Sequence, residues 1–76
     1  MSMAWQNFIT SDPSIRSGKP LLIGTRLTVS DVLDLLASGM TEEEILLDFP
    51  VLSHEHIRAV LAFAAERDRR LRAPAD

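Results

Sequence analysis

Apolar residues recur at helical spacing in three consecutive segments from residue 32 onwards. Spacings of three, four and seven residues place the members of each group on one face of an α-helix. The pattern therefore predicts three helices of roughly 8, 8 and 18 residues. The three apolar groups are Val32, Leu33, Leu35, Leu36 and Met40; then Ile45, Leu46 and Phe49; then Ile57, Val60, Leu61, Ala64 and Leu71.

Residues that begin and end helices stand between these groups. Ser30 is a good N-cap for the first helix, and Asp31 lies in its first turn, where the helix dipole favours an acid. Gly39 follows the last apolar turn and is expected to end this helix. Thr41 with Glu44 three residues later forms a capping box, which predicts the start of the second helix.

The helical part of the chain is expected to cover residues 30–72. Pro50 ends its second helix and Ser53 caps its third. Residues 73–76 are expected to fray, because chain ends without buried contacts do so. Three helices joined by short connections are typical of a compact bundle of the helix-turn-helix kind.

Residues 8–29 have a different pattern, that of extended structure interrupted by turns. The segments TSDPS and SGKP are rich in turn-forming residues. The segment LLIGTRLTV is rich in β-formers, and Gly24 inside it indicates a bulge or a tight bend. This region therefore predicts a short hairpin or two small strands.

The expected fold class is mainly α, with a small N-terminal β element followed by a three-helix, helix-turn-helix-like bundle. The chain has 76 residues, which is the size of a single domain over residues 1–76. A domain of this size buries about 60% of the surface of its unfolded chain. Its stability is therefore expected to be marginal or to depend on a partner.

Charge is unevenly distributed along the chain, whose net charge is −3. Residues 1–29 carry three basic residues and one acid, residues 30–52 carry six acids and no base, and residues 53–76 carry five arginines and four acids. This segregation favours a macromolecular partner over a small substrate. The chain has no cysteine, which fits a reducing, cytoplasmic location. Its longest apolar run, Ala59 to Ala65, is far shorter than the roughly 20 residues of a membrane span, so no membrane partner is expected.

Candidate catalytic and metal-binding groups are weak. His54 and His56 are two residues apart, so on a helix they point about 200° apart and cannot share one metal. Most of the acids fall in predicted first turns, where the helix dipole accounts for them. No nucleophile–base pattern or phosphate-loop frame is present. We therefore expect no enzymatic activity, no metal and no cofactor.

The segment LLASGMTEEEI, at the first helix junction, has the glycine and the apolar residues of a helix-turn-helix, although any pair of capped helices has nearly the same residues. Glu42, Glu43 and Glu44 would be repelled by phosphates, so the second helix is not expected to lead in binding DNA. The expected DNA-binding residues are instead Arg16, Lys19, Arg26 and Arg58.

Three of these cations lie in the segment IRSGKPLLIGTRLTVSD. Its glycines and its proline are explained by turns, but the clustering of Arg16, Lys19 and Arg26 is not. Two interpretations remain open: a nucleic-acid contact, or a counter-charge to the acidic helices. Arg26, expected within a strand, points either to solvent or to a carboxylate such as Asp48.

The third predicted helix is apolar on all sides over residues 59–65. A helix of this kind is usually buried on more than one side, and a small domain has little protein to cover the second side. Exposed alanine, a good helix former, is the alternative explanation. Phe63 favours an interface, so the expected partner or dimer interface is Ala59, Ala62 and Phe63.

Residues 9–65 resemble, almost from end to end, the bacterial and archaeal family known as domain of unknown function 433. The hallmarks are GKP, then GTRLTV, then LASGMTEEEILLDFP, and a last helix that ends in AFAA. The resemblance implies a fold grouped with homeodomain-like and winged-helix-like domains. It also implies a role as an antitoxin paired with a PIN-like ribonuclease toxin, and it carries no catalytic residues over to this chain.

The expected function is thus a non-enzymatic antitoxin-type regulator, which binds a PIN-like toxin and has DNA as a second expected ligand. It would form a homo-oligomer or bind its protein partner through the third helix. The alternative is a protein-interaction or dimerisation module with no DNA-binding role.

Overall fold

A computed structural model describes residues 3–71 of the chain. Within this range the protein consists of three α-helices and one small antiparallel sheet, so the predicted mainly α fold is confirmed. The predicted frayed tail, residues 73–76, lies outside the described residues. The elements, in chain order, are a 3-10 turn at Trp5–Asn7, strand β1 at Ile9–Thr10, a 3-10 turn at Arg16–Gly18, strand β2 at Leu21–Leu22, and helices α1 at Val29–Ala37, α2 at Glu42–Asp48 and α3 at His54–Leu71.

The sheet is a two-residue ribbon in which Ile9 faces Leu22 and Thr10 faces Leu21. Strand β2 stops at Leu22, and the predicted bend at Gly24 is a turn in which this glycine has a φ of +83°. Such a backbone angle is costly for residues with a Cβ atom, which explains the glycine. Arg26 therefore lies in a bend after the turn and not within a strand, as the sequence pattern had predicted.

Helix α1 begins earlier than predicted, and its N-cap is Thr28 instead of Ser30. The Thr28 hydroxyl accepts a hydrogen bond from the Asp31 backbone N–H at 2.9 Å. The Asp31 carboxylate in turn accepts one from the Thr28 backbone N–H at 3.0 Å. This reciprocal capping box satisfies two backbone donors, whereas Ser30 lies exposed in the first turn.

The other predicted junction is confirmed. Gly39 follows α1 with a φ of +103°, and the N–H of Met40 donates to the carbonyl of Leu35 at 3.2 Å, the arrangement of a Schellman motif. Thr41 then caps α2, its hydroxyl accepting from the Glu44 N–H at 3.2 Å while the Glu44 carboxylate accepts from the Thr41 N–H at 2.8 Å. The backbone groups at the end of α1 and at the start of α2 thus both have hydrogen-bond partners within a stretch of about four residues.

Helix α3 begins after Ser53, as predicted, but a histidine completes its start. The Ser53 backbone N–H donates to Nδ1 of His56 at 3.0 Å. The histidine ring thus takes the place that a glutamate side chain has in a capping box. The same ring packs edge-on against Phe8, with 5.4 Å between the ring centroids. His56 therefore has a structural role at the junction of the helices with the β element.

The core lies between the sheet and the three helices, and α3 contributes to it unevenly. All the buried residues of α3 fall in its first half. Within residues 3–71, no helix is both long enough and apolar enough to span a bilayer. The core cluster is Ile9, Leu22, Val29, Val32, Ile45, Leu52, Ile57, Ala59 and Val60.

Ala59 is among these core residues and is fully buried by the chain itself. The structure thus leaves Ala59, one of the predicted interface residues, without exposed surface. The second side of α3 is covered in part by the 3-10 turn near the N-terminus, an element that the sequence pattern did not predict. Trp5 of this turn packs edge-on against Phe63, with ring centroids 4.8 Å apart and an angle of 83° between the ring planes.

Candidate partner and nucleic-acid surfaces

Arg16 is engaged within the chain. Its guanidinium donates to the Asp31 carboxylate at 3.0 Å and to the backbone carbonyl of Arg26 at 3.1 Å. Arg16 also adopts a φ of +48°, a conformation that is unfavourable for any residue except glycine. The two side-chain bonds hold this turn against the start of α1. For Arg16, the structure therefore favours the counter-charge interpretation.

Asp31 has its pKa lowered from the ordinary value of 3.8. The main cause is the hydrogen bond from the Thr28 backbone N–H, and the Arg16 guanidinium adds to it, while partial burial opposes both. One carboxylate thus caps α1 and fixes the Arg16 turn at the same time. The anionic form of Asp31 is the one that stabilises this corner of the fold.

Lys19 and Arg26 are different from Arg16, because their side chains are exposed and form no ion pair within residues 3–71. Arg26 points to solvent and not to Asp48, which was the other option. Both residues lie in loops that meet at the start of α1, since the Val29 N–H bonds to the Pro20 carbonyl. These are two uncommitted positive charges at one corner of the domain.

Arg58, which lies on α3, is not part of this corner of the domain. It is exposed in the first half of that helix. The face of α3 that lies near Lys19 is instead the one that carries Arg67. Arg67 is nine residues after Arg58, and at about 100° per residue the two side chains point to opposite sides of the helix. The structure therefore separates Arg58 from the other predicted DNA-binding residues.

The acidic residues of α2 lie at its start and on its exposed face. Glu42 bonds through its carboxylate to Nδ1 of His54 at 2.9 Å, which links α2 to the start of α3. Glu43, Glu44 and Asp48 are exposed. Within residues 3–71, no group of three or more histidine, cysteine or acidic side chains is placed to hold a metal ion.

Helix α3 is twice as long as α1, with 18 residues against 9, and its second half lies beside the start of α1. Between the start of α1 and this second half lies an open groove of about 560 Å³. We call it the α1–α3 groove. The residues that line it include Lys19, Val29, Leu33, Phe63, Arg67 and Leu71.

The apolar side chains of the groove come from both helices. Val29 and Leu33 are one turn apart on α1, and Phe63 and Leu71 are two turns apart on α3. Leu71 is 78% exposed, so it is a surface residue and not a member of the core stripe to which the sequence pattern assigned it. Between Phe63 and Leu71, the guanidinium of Arg67 lies 5.9 Å from the centroid of the Phe63 ring.

The sequence pattern missed two residues of this region. Trp5 covers one side of Phe63 and donates weakly to the Glu66 carboxylate at 3.4 Å, but it precedes the segments whose pattern predicted an element. Arg67 stood out only as part of a charged helix end. Trp5 is the one tryptophan of the chain, and a lone large aromatic near an apolar helix was the signal available for it.

Comparison with known proteins places the chain in a family. A family model described as protein of unknown function, DUF433, matches residues 9–64. The chain is also 38% identical over 61 residues to an uncharacterized protein, y4eO, of Sinorhizobium fredii (strain NBRC 101917 / NGR234). The match covers 80% of this chain but 28% of that relative, so the chain spans less than a third of the relative's length. No solved structure matches. From the family match over most of its length, the chain belongs to the DUF433 family of proteins of unknown function.

Proposed function

We propose that the chain is a non-enzymatic, antitoxin-type regulator that binds a PIN-like ribonuclease toxin encoded beside it. The antitoxin context comes from the family resemblance. The observation that supports a binding role is the part of α3 after Val60, where no described residue is fully buried although Leu61, Phe63 and Leu71 are large and apolar. Phe63 and Leu71 line the same open groove, and an exposed apolar groove on a small domain is typical of an interaction site.

Co-expression tests the proposed partnership. The chain is expressed together with the product of the neighbouring reading frame, and growth, complex formation and ribonuclease activity are measured. The proposal predicts that the neighbour alone arrests growth and degrades RNA, and that this chain co-purifies with it and suppresses both effects. A neighbouring product without ribonuclease activity, or one that this chain neither binds nor inhibits, would contradict the antitoxin role.

DNA is a second candidate ligand, and it is favoured by the uncommitted cations Lys19 and Arg26 at the start of α1. Neutralising phosphates supplies most of the affinity of non-specific DNA binding. The acidic exposed face of α2 keeps that helix away from the phosphates, so the loops that meet at the start of α1 would make the contact. Arg16 contributes less, because its charge is balanced by Asp31.

Salt dependence tests the DNA role. Binding to the promoter of the chain's own gene should weaken as salt rises, and the double variant Lys19→Ala/Arg26→Ala should lower the slope of log K against log salt by about 0.9 for each phosphate that is no longer neutralised. Arg58→Ala, which removes one positive charge elsewhere on the surface, is the control and should leave the slope nearly unchanged. Equal weakening in both variants, or no binding at low salt, would remove this candidate.

Self-association is the alternative to a different partner. Ala62 and Phe63 remain half-buried and can still contact another chain, whereas Ala59 cannot. Sedimentation equilibrium over a wide range of concentrations measures this directly. A dimer that forms without the nuclease would support an interaction or dimerisation module, and a monomer would leave a partner of a different kind.

A further inference from the structure

We propose that the α1–α3 groove binds the apolar face of an acidic, amphipathic helix supplied by a protein partner. This inference deepens the partner-binding role proposed above, because it names the surface and the chemistry of its occupant. It does not require the partner to be a nuclease. The shape of the groove, its apolar lining and the charges at its rim support it.

The shape suits a helix. One wall of the groove is a face of α1 that carries Val29 and Leu33, and the other is a face of α3 that carries Phe63 and Leu71. Side chains on each wall are spaced by whole helical turns, the spacing at which an inserted helix presents its own apolar residues. A volume of about 560 Å³ leaves room for several aliphatic side chains.

The lining suits an apolar face better than a small polar ligand. Small-molecule sites usually contain a few convergent polar groups that fix the orientation of the ligand. In the described part of the chain, every buried side-chain nitrogen and oxygen already has a hydrogen-bond partner. No buried polar side chain is therefore left unpaired to orient a polar molecule, while burial of apolar area remains available as a driving force.

The charged side chains at the rim of the groove favour an acidic occupant. Lys19 lies on the α1 side of the groove and Arg67 on the α3 side, and neither forms an ion pair within residues 3–71. Asp68, the acid at the same rim, already takes part in an interaction. A helix with carboxylates on both edges of its apolar face would place one edge near each cation.

The test uses a synthetic amphipathic peptide with leucines on one face and glutamates along both edges. Its counterpart has every glutamate replaced with lysine. Binding of the labelled peptides to the full chain is measured by fluorescence anisotropy at two salt concentrations. We expect the acidic peptide to bind at least about tenfold more tightly than the basic one, and this preference to shrink as salt rises.

Two matched pairs of variants locate the site. Leu71→Glu and Leu47→Glu make the same change at residues that are 78% and 80% exposed, but Leu71 lies in the groove and Leu47 lies on α2. Arg67→Glu and Arg69→Glu reverse the same charge on exposed positions of α3 that point about 200° apart. The groove variants should weaken binding of the acidic peptide about tenfold or more, and the controls should change it less than twofold.

Other results would overturn the proposal. Equal weakening by the groove variant and its control would place the binding elsewhere. Binding of both peptides with equal affinity would remove the charge selection. The chain could also associate with itself, and Leu71→Glu and Leu47→Glu could both abolish that association. The occupant of the groove would then be the acidic α2 of a second copy and not a different partner.

The outcome can be separated from that of the antitoxin proposal. If the acidic peptide binds in the groove but the neighbouring nuclease does not, the groove assignment stands and the antitoxin role fails. If the nuclease binds and Leu71→Glu has no more effect than Leu47→Glu, the antitoxin role stands and the groove assignment fails. Circular dichroism and urea unfolding of each variant confirm that loss of binding is not loss of the fold.

Discussion

The two halves of α3 have similar apolar content but different surroundings. In the first half, Ile57, Ala59 and Val60 are fully buried against the sheet and the other helices. After Val60, Phe63 is covered on one side by Trp5, and Leu61 and Leu71 are exposed. An apolar run thus identifies a helix that packs against other elements, while the placement of those elements decides which part of the helix is buried.

The largest expected difference between the halves is in stability. Ile57→Ala removes buried side-chain atoms and should lower the free energy of unfolding by about 2–5 kcal/mol. Leu61→Ala, at a residue that is 46% exposed, should cost less than about 1 kcal/mol. Urea unfolding of both variants measures the contrast. Similar costs at the two positions would mean that the part of α3 after Val60 is as well covered as the part before it.

Removal of Trp5 should uncover more of the second half. Trp5→Ala loses partly buried apolar area and the edge-on packing against Phe63, so we expect a loss of roughly 2 kcal/mol. Trp5→Phe keeps an aromatic ring against Phe63 and gives up the long hydrogen bond to Glu66, so it should cost well under half as much. Thermal unfolding distinguishes the two variants. An Ala variant as stable as the wild type would show that the N-terminal turn does not cover α3.

The start of α1, which forms one wall of the groove, depends on a single threonine. Thr28→Ala should destabilise the domain by about 1 kcal/mol, because it removes the acceptor that caps the helix. Ser30→Ala should change stability by less than about 0.5 kcal/mol, because Ser30 is exposed in the first turn. Urea midpoints measure both. A larger effect at Ser30 would mean that Ser30 is the N-cap of α1, as the sequence pattern predicted.

The smallest expected effect is a dependence on pH through Asp31. Its pKa is lowered in the folded state, so its contribution is fully present above the unfolded value and is lost as pH falls through the lower, folded value. Asp31→Asn should therefore be less stable than the wild type near neutral pH, and the difference should narrow below about pH 4. Unfolding curves from neutral pH to strongly acidic pH test this. A difference independent of pH would mean that the charge of Asp31 does not matter.

Local signals made much of the fold predictable. Gly39, Thr41 and Glu44 define the first helix junction through backbone and side-chain rules that operate within a few residues. The error at the start of α1 was also local. Thr28 and Ser30 are both good caps, and the choice depends on Asp31, whose side chain closes a box with Thr28 and not with Ser30.

The candidate surfaces were less predictable, because they depend on contacts between distant segments. Nothing near Arg16 in sequence indicates that Asp31, fifteen residues later, neutralises it. Trp5 and Phe63, which pack against each other, are separated by most of the length of the chain. Burial of Ala59 and exposure of Leu71 depend on how distant elements pack on α3, which the periodicity of the helix does not show.

The second half of α3, together with the start of α1, is the proposed binding surface of the domain. Amide chemical shifts, recorded by NMR while the acidic amphipathic peptide is added to the labelled chain, test this assignment residue by residue. We expect the largest shifts on Leu33, Arg67 and Leu71, with little change at Leu47. Shifts concentrated on α2, or spread evenly over the domain, would contradict it.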